Sequence, residues 1–200
     1  MDNSSENSSA TTSEDIKVEE IRTSDGKLLK KISFKNGVIH GEMINYDDGE
    51  RIAQKLTYND GILEGPAEFY QDGVIIMTAS FKNGLMEGET DFFVNGIKTG
   101  HTIFQKGKIH GSFLSFDNAG RVIREAEYVD GLQEGNCFSF YPDGSLQEQS
   151  IYKNGVRDGE VKKYFPSGAV LEISEFDMGK PVGYVDTYDE DGNLIARKEA

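Results

Sequence analysis

The groups in this chain able to ligate a metal or carry a proton are three histidines (His40, His101, His110), a single cysteine (Cys137) and short acidic runs such as Asp47-Asp48 and Asp189-Glu190-Asp191. Imidazole and carboxylate hold metals, paired carboxylates shuttle protons in hydrolysis, and a thiol or hydroxyl beside a base attacks carbonyls. Each of these needs its groups within a few ångströms of one another. His40 and His110 occupy the same slot of a repeated phrase, three copies apart. At about 10 Å per copy they stand about 30 Å apart and share no ion. The acidic runs lie beside glycine in turns, where such residues cap and solubilise. Cys137 fills a slot held elsewhere by Met43, Ala67 and Val161, as a small packed residue would. Neither it nor Ser115 or Ser139 has a histidine in register. One cysteine supplies no intramolecular disulfide and no CxxC site. The expectation is a chain that is not an enzyme and needs no cofactor or metal.

The elements that carry these residues are written by repetition. "YKNGVRDGEVKKYFPSG" (residues 152–168) has near copies in "FKNGVIHGEMINYDDG", "YNDGILEGPAEFYQDG" and "FKNGLMEGETDFFVNG". The first glycine of a G-x-x-x-G unit falls at Gly37, Gly61, Gly84, Gly107, Gly131, Gly155 and Gly179, spaced by 23 or 24 residues. With their partners (Gly41 to Gly183) and a second turn column (Gly26 to Gly192), these columns hold 22 of 23 glycines, leaving only Gly100. Aromatics keep the same register. One column is Phe34, Tyr58, Phe81, Phe104, Tyr128, Tyr152 and Phe176; the other is Tyr46, Tyr70, Phe93, Phe116, Phe140, Tyr164 and Tyr188.

Asn-Gly and Asp-Gly favour left-handed backbone and mark tight hairpin turns. The runs between turns are about 9–10 residues, rich in β-branched and aromatic side chains and too short for ordinary helices. The predicted fold is all-β: an elongated, single-layer antiparallel meander of about seven β-hairpin repeats and about fifteen strands over residues 16–200, behind a disordered tail at 1–15. The partner glycine inside each strand suggests a close approach covered by a neighbouring ring. Two positions after that glycine stands an apolar-leaning residue and five after it an aromatic. Their opposite parity requires a bulge between them or two partly covered faces.

Composition narrows the partners. The net charge of −14 repels nucleic acid and anionic membranes, so a protein partner with a basic surface is favoured, and membranes only through a lipid anchor. No apolar stretch of about 18 residues is present, and the N-terminus has no signal-peptide pattern. As written, the chain is expected in the cytoplasm. The alternative is a bacterial envelope lipoprotein, if Met1 stands in place of a lipid-bearing cysteine ahead of the polar, acidic first twenty residues. Both ends of the meander expose strand edges, so self-association by edge pairing is also expected.

The template [YF]-x-[ND]-G-x-x-x-G-x-x-x-x-[YF]-x-x-x-G resembles MORN-repeat proteins, and most closely the bacterial variant labelled a YwqK-type antitoxin. The resemblance implies β-hairpin arrays used for protein contact and scaffolding and, from the label, neutralisation of a toxin. The absence of tryptophan departs from the eukaryotic pattern. Two groups are candidates for binding a partner. One is the thickened aromatic band of Phe92, Phe93, Phe113, Phe116, Phe138, Phe140 and Tyr141, where an exposed patch is expected. The other is a carboxylate stripe just before the partner glycines, Glu64, Glu87, Glu134 and Asp158.

Overall fold

Each Asn-Gly-type turn is built from two left-handed residues. Asn36, Asp60, Asn83, Lys106, Asp130, Asn154 and Met178 have φ between 45° and 51°, and the glycine after each is also positive. That pair of angles is the type I′ turn, whose twist matches the strands it joins. Lys106 and Met178 adopt it without the local hydrogen-bonding side chain that favours Asn or Asp there.

The computed structural model describes residues 16–200, so the tail expected to be disordered lies outside the described residues. The strands are β1 (Ile16–Arg22), β2 (Leu28–Lys35), β3 (Val38–Tyr46), β4 (Ile52–Asn59), β5 (Ile62–Gln71) and β6 (Val74–Lys82). Then come β7 (Leu85–Met86), β8 (Gly88–Val94), β9 (Ile97–Gln105), β10 (Lys108–Phe116), β11 (Val122–Val129) and β12 (Leu132–Phe140). The remainder are β13 (Leu146–Lys153), β14 (Val156–Arg157), β15 (Gly159–Tyr164), β16 (Val170–Asp177), β17 (Lys180–Tyr188) and β18 (Leu194–Glu199). Each strand pairs antiparallel with its sequence neighbours in one open sheet. The exceptions are β7 with β8 and β14 with β15, each pair sharing one place beside β6 or β13. Breaks at Glu87 and Asp158 are therefore part of the reason for eighteen strands where about fifteen were expected.

The core is a single row. One residue per full-width strand runs Ile32, Met43, Leu56, Ala67, Ala79, Thr90, Thr102, Phe113, Ala126, Cys137, Ser150, Val161 and Ser174, on one face of the sheet. The buried apolar residues Ile32, Leu56, Ala67, Ala79, Ala126, Cys137 and Val161 all belong to it, as do buried Thr90, Thr102, Ser150 and Ser174. Val161 is only 1% exposed, and burying a valine fully contributes about 1.5–3 kcal/mol. Two residues on, on the same face, stand the aromatics from Phe34 to Phe176. Each from Tyr58 onward sits directly opposite the partner glycine of the preceding strand, as Tyr58 does Gly41 and Tyr152 does Gly135. The partner glycines have φ between 68° and 116°, which explains why no other residue type fills the column.

Of the alternatives raised by parity, the two columns take opposite faces, and the irregularity beside them does not alter their own strand. A register shift follows the fourth residue after each partner glycine, for example between Phe69 and Tyr70, with the extra residue on the opposing strand. The second aromatic column therefore keeps its own strand's alternation and lies on the other face. Tyr70 there accepts Lys55 Nζ at 5.6 Å from its ring centre.

Neighbouring repeats are tied at the turns. From Gly61 on, the amide of each opening glycine donates to a carbonyl of the preceding hairpin: Gly61 to Ile39 at 2.7 Å, Gly84 to Leu63, Gly107 to Met86 and Gly131 to Ile109 at 2.9 Å, Gly155 to Gln133 at 2.9 Å, and Gly179 to Arg157 at 2.8 Å.

Met178 is 76% exposed, so replacing it removes no packing, while a left-handed residue other than Gly, Asn or Asp is strained. Met178→Asn is expected to stabilise the array by about 0.5–1 kcal/mol, read as a higher urea midpoint.

Candidate interaction surface

The two sets of turns lie on opposite margins of the sheet and differ in charge. The margin of the second turn column carries Asp25, Asp47, Asp48, Glu50, Asp72, Asp117, Asp143, Asp189, Glu190 and Asp191 against Arg22, Lys27, Arg51 and Arg121. That leaves a net −6 there, out of −14 for the chain. On the opposite margin Lys35, Lys82, Lys106, Lys108, Lys153, Arg157 and Lys180 offset Asp60, Glu64, Glu87, Asp130, Glu134, Asp158 and Asp177.

The acidic turns are held by their own carboxylates. Asp117 Oδ1 accepts the amides of Ala119 at 2.8 Å and Arg121 at 3.0 Å, and its Oδ2 accepts Arg121 Nε at 2.8 Å. Asp47 repeats this with Gly49 and Arg51, each at 2.9 Å. Asp143 takes the Ser145 amide at 2.9 Å, and Asp189 takes that of Asn193 at 2.8 Å. The Arg121 side chain and amide hold the Asp117 carboxyl below the usual aspartate value, and the Asn193 side chain and amide do so for Asp189. For Asp47 the Arg51 amide is the largest cause, and for Asp143 the Ser145 hydroxyl. These groups therefore ionise at lower pH than an ordinary aspartate.

Beside this margin, on the face opposite the buried row, lies the second aromatic column. Phe93, Phe116 and Phe140 belong to it, half-buried. Phe138 shares their face, opposite Glu125 and Gln149. Lys98 Nζ lies 5.7 Å from the Phe116 ring centre and 2.6 Å from Asp91 Oδ1. Asp91 also pairs with His101 at 2.7 Å. Burial would raise the Asp91 carboxyl; Lys98 and His101 outweigh it and hold it low. At one end of the column Tyr188, Val170 and Ile173 form a shallow hollow with Glu190, Asp191 and Gly192.

The other candidates fall elsewhere. Phe92 and Phe113 lie on the face of the buried row, their ring centres 5.9 Å apart, with Tyr128 6.1 Å beyond Phe113. Their cluster explains Gly100, the one glycine outside the repeat columns. A methyl there would meet Phe92 Cδ2 at 3.2 Å and Phe113 Cζ at 3.5 Å. Tyr141 donates its hydroxyl to the Tyr164 carbonyl at 2.8 Å. None of the seven aromatics is fully exposed, because rings in an open sheet lie against its backbone and one another. The carboxylate stripe is on the charge-balanced margin, and two members tie repeats together: Glu87 accepts the Lys106 amide and Glu134 the Asn154 amide, each at 2.7 Å. His40 holds Asp60 in the same way, its Nδ1 accepting the Asp60 amide at 3.3 Å. Exposed apolar side chains on that margin include Val38, Ile62, Leu85, Leu132 and Val156, each directly after a turn glycine, as well as Val129 and Met178.

Among the described residues no three His, Cys, Asp or Glu side chains gather as a metal site. Cys137 is buried in the central row, opposite Ala126 and Ser150. The acidic margin was legible as acidic runs, but reading each as a turn cap hid that all of them fall on one side.

Gly100→Leu should cost about 1–3 kcal/mol from overpacking, and Phe113→Val, which installs the residue Val161 and Val185 place in that slot, should recover part of it. Urea midpoints of the two single variants and the double variant test this. For Asp117 the folded pKa is depressed. Its ionised form therefore stabilises the fold above the ordinary aspartate value of about 3.9, and that contribution is lost as pH falls through the lower folded value. Stability against pH is expected to drop more steeply below about pH 4 in the native chain than in Asp117→Asn.

The family model for the MORN repeat variant matches residues 133–154 and 157–178, two consecutive hairpin units of the array. No curated protein matches the chain. MORN repeats are generally associated with scaffolds that bind proteins or membranes.

Proposed function

We propose that this chain is a non-enzymatic scaffold that holds a basic protein along its acidic margin, with the aromatic column beside that margin as the apolar anchor. The observation that carries this reading is the one-sided charge: ten acids against four bases on one margin, and balance on the other. Clustered charge of one sign speeds encounter with the opposite sign and fixes orientation. Tyrosine and phenylalanine beside it supply contact area at low entropic cost. In its sharpest form the scaffold is an antitoxin and the basic partner its toxin.

The partner is sought by affinity capture from native lysate, with soluble and membrane fractions analysed separately by mass spectrometry. A basic soluble protein is expected, with affinity falling as salt rises through the Debye-screening range of about 0.05–0.5 M. Glu190→Lys with Asp191→Lys should weaken it by roughly tenfold or more, Phe116→Ala should also weaken it, and Lys108→Glu on the balanced margin should have little effect. Salt-independent binding untouched by the acidic-margin variants would defeat the reading. For the antitoxin form, the purified partner must arrest growth when expressed alone and cease to do so with this chain.

A further inference from the structure

Among the described residues, apart from the two-residue strands β7 and β14, β1 and β18 are the two strands paired on one side only. They are opposite ends of one repeating pattern. Glu19 of β1 pairs with Ile32 as Val185 of β17 pairs with Lys198. So β18 ends the array on the first strand of a hairpin, and β1 begins it on a second. Laying β1 of another copy beside β18, in the register by which Glu172 and Ile173 of β16 meet Thr187 and Asp186 of β17, continues the buried row and the rows on its acidic-margin side. The aromatic and glycine rows stop there, with Ala200 and Lys17 in their slots.

That register opposes complementary side chains. The buried row ends on Lys198 at one edge and on Glu19 at the other. The adjacent row on the opposite face ends on Arg197 and on Glu20. Joined, the second row reads Asp186, Arg197, Glu20, Lys31, alternating in sign across the junction. Next to it Ala196 meets Ile21. Centred on its charged middle, an edge paired with its own kind does the reverse: β1 on β1 opposes Glu19 to Glu19 or Glu20 to Glu20, and β18 on β18 opposes Arg197 or Lys198 to itself. Centred on Val18 or Ile21, β1 on β1 would instead oppose Lys17 to Glu19 or Glu20 to Arg22. Like charges directly opposite destabilise a sheet, and opposite charges stabilise it. Both edges are also exposed and carry bare aliphatics: Ile16, Val18 and Ile21 on β1, Leu194 and Ile195 on β18.

We propose that copies of this chain associate head to tail, β18 of one pairing antiparallel with β1 of the next with Lys198 opposite Glu19 and Arg197 opposite Glu20. The contact is heterologous, so it leaves a free edge at each end and grows into an open assembly unless the rotation per copy closes a ring. It does not depend on what binds the acidic margin.

Sedimentation velocity and light scattering on the full 200-residue chain test this. Mass is expected to rise with concentration past the dimer. Glu19→Lys and Lys198→Glu should each raise the concentration needed for assembly by roughly tenfold, with unchanged circular dichroism, and the double variant E19K/K198E should restore it. A monomer at every concentration, a dimer that does not grow, or a double variant no better than the singles would overturn the proposal. The Lys108→Glu control should assemble like the native chain.

Discussion

A sheet one layer thick has nothing to bury its face against except its own neighbouring strands, and that constraint shapes every repeated feature here. The buried row consists mostly of Ala, Ser, Thr, Cys and Val because each strand offers only the shallow space between flanking rows. Where a phenylalanine enters the row, at Phe113, Gly100 makes room for the end of its ring. No hairpin has a core of its own. Each supplies half the cover for the next, so stability accumulates along the array from nearest-neighbour terms.

The same constraint explains the turns. Strands that must remain in register over the whole sheet need turns of fixed geometry, and left-handed pairs such as Asn36-Gly37 provide them. Register is then locked between repeats by the amide of each opening glycine and by side chains such as Glu87 and Glu134, which reach the next turn's backbone. Carboxylates that look available in the sequence are thus partly committed to holding the sheet together, while the acids of the other margin close their own turns and still leave a field of negative charge.

A surface of this kind suits recognition better than catalysis. Catalysis needs several groups converging on one point, whereas successive repeats place equivalent groups about 10 Å apart along a line. Two faces and two margins, each regular along its length, present a partner with rows instead of a pocket. The open edges are the price of a meander that does not close, and the proposed junction would give them a direction by setting Arg197 and Lys198 against Glu20 and Glu19.

The strand–turn–strand unit, its period of 23 or 24 residues, the meander order and the single layer were all legible in the sequence, because glycine, Asn-Gly pairs and aromatics report local backbone geometry directly. So was the small character of Cys137, from the residues in the same slot of other repeats. Which face each column occupies was not legible. Parity alone left a bulge and two covered faces open, and the answer depended on the extra residue lying in the opposing strand at Ile76 rather than beside Tyr70. Nor could the sequence show that Phe92 and Phe113 share a face while Phe93, Phe116, Phe138 and Phe140 take the other, or that the turn acids gather on one margin. Those relations join residues that are distant in sequence and adjacent only across strands. Local residue types determined the repeat; the tertiary structure alone decided which repeated groups stand together, because that depends on register summed over many strands.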